Sequence, residues 1–391
     1  MVEPRPGKKV KKQNPKKIQH GRFVTLDGLR GIAVIIVLLA HGSEYNLLPG
    51  VFLSYGGWLG VVVFFVLSGF LITQLLLRER ATSGRISLAN FYVRRVLRIW
   101  PLYFVVLGAY AFLLPLFDQS ALDSIYVSDN DPNLEFYRNS LIYYPFFLQN
   151  YLVDQSSMPL GPSVLWSLAP EEHFYLLWPL ALVVLGGRWL VPALVGIISA
   201  TFCLRALTLL GVLTEYQDVD RMTHTTLDGL TGGCLLACLY HSRPQALTAL
   251  SRRRWPYLLG WALLLFLGWA WLHHMPFYPA LPGAEYYRFT LGTLATTIII
   301  ACLVGREGSP RPILCCRPLT YMGKVSYGMY VLHPIVLGLV AALAERLDLL
   351  HGADYLLVMV VYLGAVVGVA SLSFKFFESP ILRIKERFGR V

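Results

Sequence analysis

Long apolar runs separated by short polar segments dominate the chain from residue 24 onward. Most of these runs are about 20 residues long, which is the helix length needed to cross the hydrocarbon core of a bilayer. Ten of them lie near residues 24–44, 57–77, 99–117, 168–187, 189–208, 225–241, 256–273, 287–304, 321–345 and 354–374. The pattern predicts an all-α, polytopic membrane protein with about ten transmembrane helices.

A further apolar run, residues 140–151, is too short to cross a bilayer as a helix. It contains Pro145 and ends in the polar pair Gln149 and Asn150. Non-helical chain at membrane depth is tolerated where it lies against protein or a polar cavity. We therefore predict a re-entrant or interfacial segment at this position.

The composition excludes a soluble globular protein. Of the 391 residues, 55% are hydrophobic and only 15% are charged, and the mean hydropathy is +0.55, far from the values of soluble domains. The net charge of +11 would suggest nucleic acid in a soluble chain. In a membrane protein the positive-inside rule explains this charge, so we expect no nucleic-acid partner. The six cysteines show no zinc-site spacing, and we expect no metal.

The distribution of basic residues predicts the orientation. With both termini in the cytoplasm, 28 of the 34 Lys and Arg residues lie on the cytoplasmic side, as the positive-inside rule requires. Residues 1–22 are basic and poor in apolar side chains, which predicts a disordered cytoplasmic tail. We expect one transmembrane domain over residues 23–380 and a short basic cytoplasmic tail over residues 381–391.

The first apolar run contains three ionisable residues, Asp27, Arg30 and His41. Arg30 and His41 are eleven residues apart, so on a helix they share one face and lie about 16 Å from each other. Ionisable residues inside a membrane are costly and usually mark a functional site. The alternative is a structural Asp27–Arg30 bridge, with His41 hydrogen-bonded to a neighbour.

Three further groups of polar residues have both a functional and a structural interpretation. Arg94, Arg95 and Arg98 either anchor the topology or clamp an anion, since guanidinium groups match phosphate oxygens. The run Glu171–His173 is either solvated at the interface or part of a site. His333, which has apolar neighbours, could be structural.

Four motifs together resemble the acyltransferase-3 family. These are residues 26–33 followed by His41, the run Phe64–Thr73, the basic segment Arg94–Pro101 and the segment Trp166–Glu172. The resemblance covers about residues 22–380. Members of this family are membrane proteins that acylate sugars of surface polysaccharides, lipopolysaccharide, peptidoglycan, Nod factors and some macrolides.

The chain departs from the family pattern at two positions, and some relatives are longer. Thr226 replaces an arginine common in the family, and Pro170 replaces an apolar residue; either change could retune the acceptor site. Some relatives carry an extracytoplasmic esterase-like domain after the last helix. We expect either that the membrane unit suffices here or that a separate extracytoplasmic partner supplies this role.

The resemblance implies an integral-membrane O-acyltransferase in the bacterial cytoplasmic (inner) membrane. Such an enzyme moves an acyl group, for which we expect acetyl, from cytoplasmic acyl-CoA to a sugar hydroxyl in a cell-surface glycan or lipid-linked saccharide. Acyl-CoA is then a donor substrate, and we expect no permanently bound cofactor. The expected partners are membrane lipid, acyl-CoA and the saccharide acceptor.

The resemblance also implies roles for individual residues. His41 is expected to be the general base, and Arg30 to guide the donor. Arg94, Arg95 and Arg98 would bind the coenzyme A phosphates. Glu171 or Glu172 would orient His41 or bind the sugar. The further candidates for substrate binding are Asp27, Asn150, Ser167, His173, His224, Asp228, Tyr330 and His333.

Three other functions remain open from the sequence. A proton-coupled multi-pass transporter would also carry ionisable residues within its spans, but it would predict pseudo-symmetric halves with broken helices, which the sequence does not suggest. An acyltransferase for macrolides or other small glycosides would share every motif named above. A membrane sensor or scaffold without catalysis would have no need for the Arg30 and His41 pair.

Overall fold

The computed structural model describes residues 23–44, 56–113, 139–152, 160–213, 220–272, 284–305, 313–351 and 354–385. Within these ranges the chain forms helices and no strand, which confirms the all-α prediction. The predicted tail over residues 1–22 and the last residues, 386–391, lie outside the described part of the chain.

The helices are numbered in chain order. They are α1 (Val24–Glu44), α2 (Gly57–Ser83), α3 (Leu88–Gly108), α4 (Leu168–Val184), α5 (Gly186–Leu209), α6 (Thr223–Ser242), α7 (Pro244–Ser251), α8 (Trp255–Leu272), α9 (Ala284–Val304), α10 (Arg317–Arg346), α11 (Asp354–Ser373) and α12 (Ser379–Lys385). Single π-helical turns follow α3 and α11. Nine of the ten apolar runs lie largely within one of these helices, and the run 99–117 begins in α3 and continues into the π-helical turn after it.

Six helical segments of the described chain are long and apolar enough to cross a membrane. They are Val24–Ser43, Gly57–Ser83, Leu88–Phe112, Gly187–Leu209, Arg317–Arg346 and Asp354–Ile384. The protein is therefore a multi-pass membrane protein, whereas ten spans and cytoplasmic termini stay predictions. The helix α4 has only 17 residues, and α6 is rich in threonine and glycine.

The short run before α4 forms two 3-10 helices, Leu141–Phe146 and Gln149–Tyr151. The side chains of Gln149 and Asn150 are buried at its end. A turn of helix at Leu160–Ser163 and a 3-10 turn at Val164–Ser167 then lead into α4. This segment is folded against the helices, and it is not itself a spanning helix.

Glycines allow the central helices to approach one another closely. The most extensive helix pairs are α2 with α6 and α1 with α10. A methyl group on Gly69 would overlap the carbonyl oxygen of Leu230, and one on Gly323 would overlap that of Asp27. Small residues at helix interfaces bring backbones together in membrane proteins, where apolar burial alone gives little attraction.

The peripheral helices carry large apolar side chains on their outer surface. Examples are Trp189 on α5, Leu258 and Leu265 on α8, and Leu356 on α11, all more than half exposed. Apolar exposure on this scale suits contact with lipid. The paired histidines and most of the arginines and glutamates described below lie on α1, α2, α3, α4 and α10.

Candidate active site

A cavity of about 400 Å³ lies among α1, α2, α3, α4 and α10. Four arginines line it, Arg30 from α1 and Arg94, Arg95 and Arg98 from α3. We call it the arginine cavity. The structure thus brings together the four residues that the sequence predicted to contact the donor.

Carboxylates and aromatic rings accompany these arginines. Buried Glu79 on α2 forms an ion pair with buried Arg94, with 3.4 Å between Oε2 and a guanidinium nitrogen. Glu79 Oε1 accepts a hydrogen bond from the Ser87 main-chain N–H at 2.9 Å. The Arg95 guanidinium lies 5.6 and 5.5 Å from the ring centres of Phe91 and Tyr175. Arg98 interacts electrostatically with Glu378, which is buried after α11.

The two glutamates at the start of α4 differ in position. Glu171 lines the arginine cavity and accepts hydrogen bonds from Tyr175 Oη at 2.6 Å and Ser68 Oγ at 3.1 Å. It also interacts electrostatically with Arg30. Glu172 accepts a hydrogen bond from Trp100 Nε1 at 3.0 Å. Both carboxylates therefore have protein partners, which favours the site interpretation over simple solvation.

Ser167 and Tyr330 lie at another part of the cavity wall. Tyr330 Oη donates a hydrogen bond to the Val164 carbonyl oxygen at 2.7 Å. Because this bond uses the single phenolic proton, Ser167 Oγ must donate to Tyr330 Oη across their 2.7 Å contact. Both hydroxyls are buried.

The imidazole of His333 on α10 contacts that of His41 on α1; we call them the histidine pair. His333 Nε2 lies 3.1 Å from His41 Nδ1, and the rings stack with 4.9 Å between their centres. His333 is completely buried, and its Nδ1 lies 2.6 Å from the Tyr330 carbonyl oxygen. The hydrogen-bond partners that the described residues give the His41 ring are His333 and the Val37 backbone, so no contact supports an orienting role for Glu171 or Glu172.

Three predicted substrate-binding residues, Asn150, His173 and His224, meet in a second polar group with Tyr151 and Thr223. Thr223 Oγ1 lies 2.7 Å from His173 Nδ1 and accepts a hydrogen bond from Asn150 Nδ2 at 2.9 Å. The Tyr151 ring stacks on His224, with 5.8 Å between ring centres, and is 38% exposed. We call these five residues the aromatic cluster.

Arg221 connects the aromatic cluster to the histidine pair. Its carbonyl oxygen accepts a hydrogen bond from Asn150 Nδ2 at 3.2 Å. Its side chain interacts electrostatically with His41 and with Tyr330. The cluster and the pair therefore belong to one continuous polar region.

Two predicted substrate-binding aspartates have contacts of a different kind. Asp228 on α6 forms a buried, bidentate ion pair with Arg205 of α5, at 2.9 and 3.1 Å. Thr290 also donates to Asp228, so its contacts indicate that it holds α5, α6 and α9 together. Asp27 lies one turn from Arg30 and interacts with it electrostatically.

Several residues of the site were not among the sequence predictions, namely Glu79, Tyr151, Tyr175 and Thr223. A signal existed for Tyr175, because it lies four residues after Glu171 and must share its helix face. Glu79 is an acidic residue within a basic segment, which is a weaker signal. Thr223 and Tyr151 gain their partners only through contacts between distant segments.

Comparison with known proteins assigns the family. The family model described as an acyltransferase domain, of the acyltransferase-3 type, matches residues 23–375. The chain is 28% identical over 370 residues to the peptidoglycan O-acetyltransferase OatA of Listeria monocytogenes, covering 91% of this chain and 55% of that protein. It is 30% identical over 379 residues to the O-acetyltransferase OatA of Staphylococcus aureus, covering 91% and 56%.

A third similar protein is YrhL of Bacillus subtilis, 30% identical over 376 residues, which cover 93% of this chain and 56% of that protein. The chain thus spans about half the length of these curated relatives. No solved structure gives a significant match. Because the family model covers nearly the whole chain, from the first residue of the helical domain to the turn after α11, the chain belongs to the acyltransferase-3 family of membrane acyltransferase domains.

Proposed function

We propose that the protein transfers an acyl group, most simply acetyl, from acyl-CoA to a sugar hydroxyl of a cell-surface glycan. The observation that carries this proposal is the connection between the arginine cavity and the histidine pair. Tyr330 lines the cavity with its side chain and contacts His333 through its carbonyl. A bound anion and a proton acceptor would therefore lie at two ends of one polar path.

Coenzyme A suits the arginine cavity because it carries several phosphate charges. Planar guanidinium groups bind phosphate oxygens in pairs, with more geometric specificity than lysine. Arg30 and His41 lie on one face of α1, about 16 Å apart. An extended pantetheine arm has a comparable length, so phosphates held near the arginines would leave the thioester within reach of His41.

The reaction needs one proton acceptor and then one proton donor, and His41 can be both. His41 takes the proton of the acceptor hydroxyl while the oxygen attacks the thioester carbonyl. The tetrahedral intermediate collapses to the new ester as its carbon–sulfur bond breaks. The coenzyme A thiolate then takes the proton back from His41, which returns the enzyme to its initial state.

The aromatic cluster is the region that we assign to the acceptor. An exposed tyrosine ring next to imidazole and amide groups offers an apolar face for a sugar ring and polar atoms for its hydroxyls. Arg221 joins this region to His41 electrostatically. Relatives named as peptidoglycan O-acetyltransferases make peptidoglycan the first acceptor to test.

Surface-glycan analysis of a deletion strain tests this proposal. Loss of O-acyl groups from one glycan, restored by the wild-type gene and not by a His41→Ala gene, is the expected result. Unchanged O-acylation of every surface glycan, together with loss of uptake or export of a small solute, would instead favour a transporter.

A further inference from the structure

The helix α10 continues through Pro334, and this proline leaves one main-chain acceptor without its usual donor. In an α-helix the carbonyl of residue 330 accepts a hydrogen bond from the N–H of residue 334. Proline has no N–H. The Tyr330 carbonyl is therefore available to a different donor, in the middle of a buried helix.

His333 Nδ1 takes that place, 2.6 Å from the Tyr330 carbonyl oxygen. A carbonyl oxygen only accepts hydrogen bonds, so His333 Nδ1 must carry a proton. His333 is completely buried, and the hydrogen-bond partners that the described residues give it include no carboxylate. A buried, unpaired imidazolium is costly. The ring is thus neutral, and its Nε2 is an acceptor.

That acceptor faces His41 Nδ1 at 3.1 Å. His41 must then donate from Nδ1, because the two nitrogens cannot both be unprotonated in a hydrogen bond. The His41 ring also has a hydrogen bond to the backbone of Val37, one turn earlier on α1. A neutral His41 therefore has its lone pair on Nε2.

We propose that Pro334, the Tyr330 carbonyl and His333 fix His41 in the Nδ1–H tautomer, and that His333 is a positioning residue of the acyltransferase. This inference rests on the proposed function. When His41 Nε2 takes the proton of the acceptor hydroxyl, His41 Nδ1 keeps its own proton and shares it with His333 Nε2. His333 neither gains nor loses a proton, and the proton on His41 Nε2 leaves with the coenzyme A thiol.

Two substitutions of His333 in the full chain, reconstituted in lipid, separate positioning from packing. His333→Gln can present its amide oxygen near the place of Nε2 and accept the His41 hydrogen bond. His333→Met fills a similar volume, but its thioether is only a weak acceptor. We expect kcat of His333→Gln to stay within about threefold of wild type, and kcat of His333→Met to fall by more than about tenfold, within the range that a misplaced general base costs.

The KM for acyl-CoA should change little in either variant, because His333 is not among the residues that line the arginine cavity. Val336→Ala is the matched control, since Val336 is buried on the same helix without a side-chain hydrogen bond. It should lower stability and leave kcat close to wild type. Equal kcat values for the Gln and Met variants, or equal losses in kcat and donor affinity, would overturn the positioning role.

The tautomer can also be measured without activity. In the full chain labelled with ¹⁵N-histidine, the His41 signals are those lost in His41→Gln. We expect a protonated Nδ1 and an unprotonated Nε2 in the wild-type protein, and a mixture of tautomers in His333→Met. A protonated Nε2 in wild type would refute the inference, whether or not the protein transfers acyl groups. Absence of acyl transfer with the expected tautomer would instead refute the proposed function alone.

Discussion

The arginine cavity and the histidine pair share helix α1, yet their polar groups are balanced in opposite ways. Three arginines that line the cavity have a carboxylate partner, namely Glu79 for Arg94, Glu171 for Arg30 and Glu378 for Arg98, and of these carboxylates Glu171 lines the cavity itself. The two rings of the histidine pair contact each other and the Tyr330 carbonyl, and the charged group that interacts with His41 from the described residues is Arg221. Charge is concentrated where the proposed donor would bind, and the proposed acid–base group has no carboxylate among its described hydrogen-bond partners.

This difference has a physical consequence. Arginines kept in place by carboxylates remain charged and ordered inside a membrane protein, where an unpaired charge is expensive. An acid–base histidine must change its charge during the reaction, and a fixed carboxylate neighbour would favour its protonated form. The electrostatic partner that the described residues give His41 is the cation Arg221, not a carboxylate, so its imidazole rests neutral, as the proposed general base must. We therefore expect the two regions to respond differently to mutation.

The largest effect on the rate of acyl transfer should come from His41→Ala, which removes one ring of the histidine pair and leaves the arginine cavity unchanged. Removing a general base costs about 10² to 10⁴ in rate, so acyl transfer should fall to background. Donor binding should persist, because the arginine cavity is intact. Steady-state transfer and acyl-CoA binding measured on the same preparation check this. Transfer at more than about a tenth of the wild-type rate would exclude the base role.

A large effect on acyl-CoA binding should come from substitution of the arginines on α3 that line the arginine cavity. The triple variant Arg94→Gln, Arg95→Gln, Arg98→Gln removes three donors of charge-assisted hydrogen bonds, and we expect acyl-CoA affinity to fall by more than tenfold, on the order of 1.4 kcal/mol or more. The triple lysine variant is the control, since it keeps the positive charge that directs topology but lacks the planar fork.

Calorimetric or fluorescence titration of acyl-CoA distinguishes the two interpretations of the arginines. A lysine variant that inserts normally and binds the donor weakly supports a phosphate clamp. Wild-type donor affinity in both triple variants would leave the arginines as topology anchors, and the arginine cavity would then need another ligand.

An intermediate effect should come from Tyr151→Ala in the aromatic cluster. Loss of the exposed ring should raise the KM for the glycan acceptor by about tenfold or less, with the KM for acyl-CoA unchanged. Tyr151→Phe keeps the ring and loses only the hydroxyl that contacts His224. Its KM for the glycan acceptor should therefore lie between those of Tyr151→Ala and the wild type. A rise confined to the donor KM would move the acceptor away from this cluster.

The smallest effect should come from Pro334→Ala, which supplies an N–H to the Tyr330 carbonyl. A carbonyl oxygen has two lone pairs, so the new N–H competes with His333 without excluding it. We expect a decrease in kcat of about twofold to fivefold, measured at saturating donor and acceptor. A decrease as large as that of His333→Met would mean that the helix had changed course and not only its hydrogen bonding.

The sequence predicted the helices and the grouping of the arginines on α3 better than the contacts between distant segments. Hydropathy placed ten apolar runs because each helix of this fold presents a long apolar surface, but it could not decide which helices span the membrane. The sequence could also group Arg94, Arg95 and Arg98, because residues three or four apart on a helix are neighbours.

Tertiary contacts account for what the sequence could not predict. His333 and His41 are 292 residues apart, and no local pattern pairs them. Asp228 was predicted to bind substrate, but its ion pair depends on Arg205 of a different helix. Glu171 follows a strong local motif, yet which group it faces is decided by Ser68 on α2 and Tyr175 on α4.

The most direct measurement is a sided transfer assay with the purified full chain in lipid vesicles. Acetyl-labelled acetyl-CoA is supplied on the side exposing the chain termini, and a soluble peptidoglycan fragment on the opposite side. The account predicts labelled ester on the fragment, one free coenzyme A per ester, and neither product with His41→Ala. Ester formation by His41→Ala at the wild-type rate, or wild-type protein that forms no ester on any glycan supplied, would contradict it.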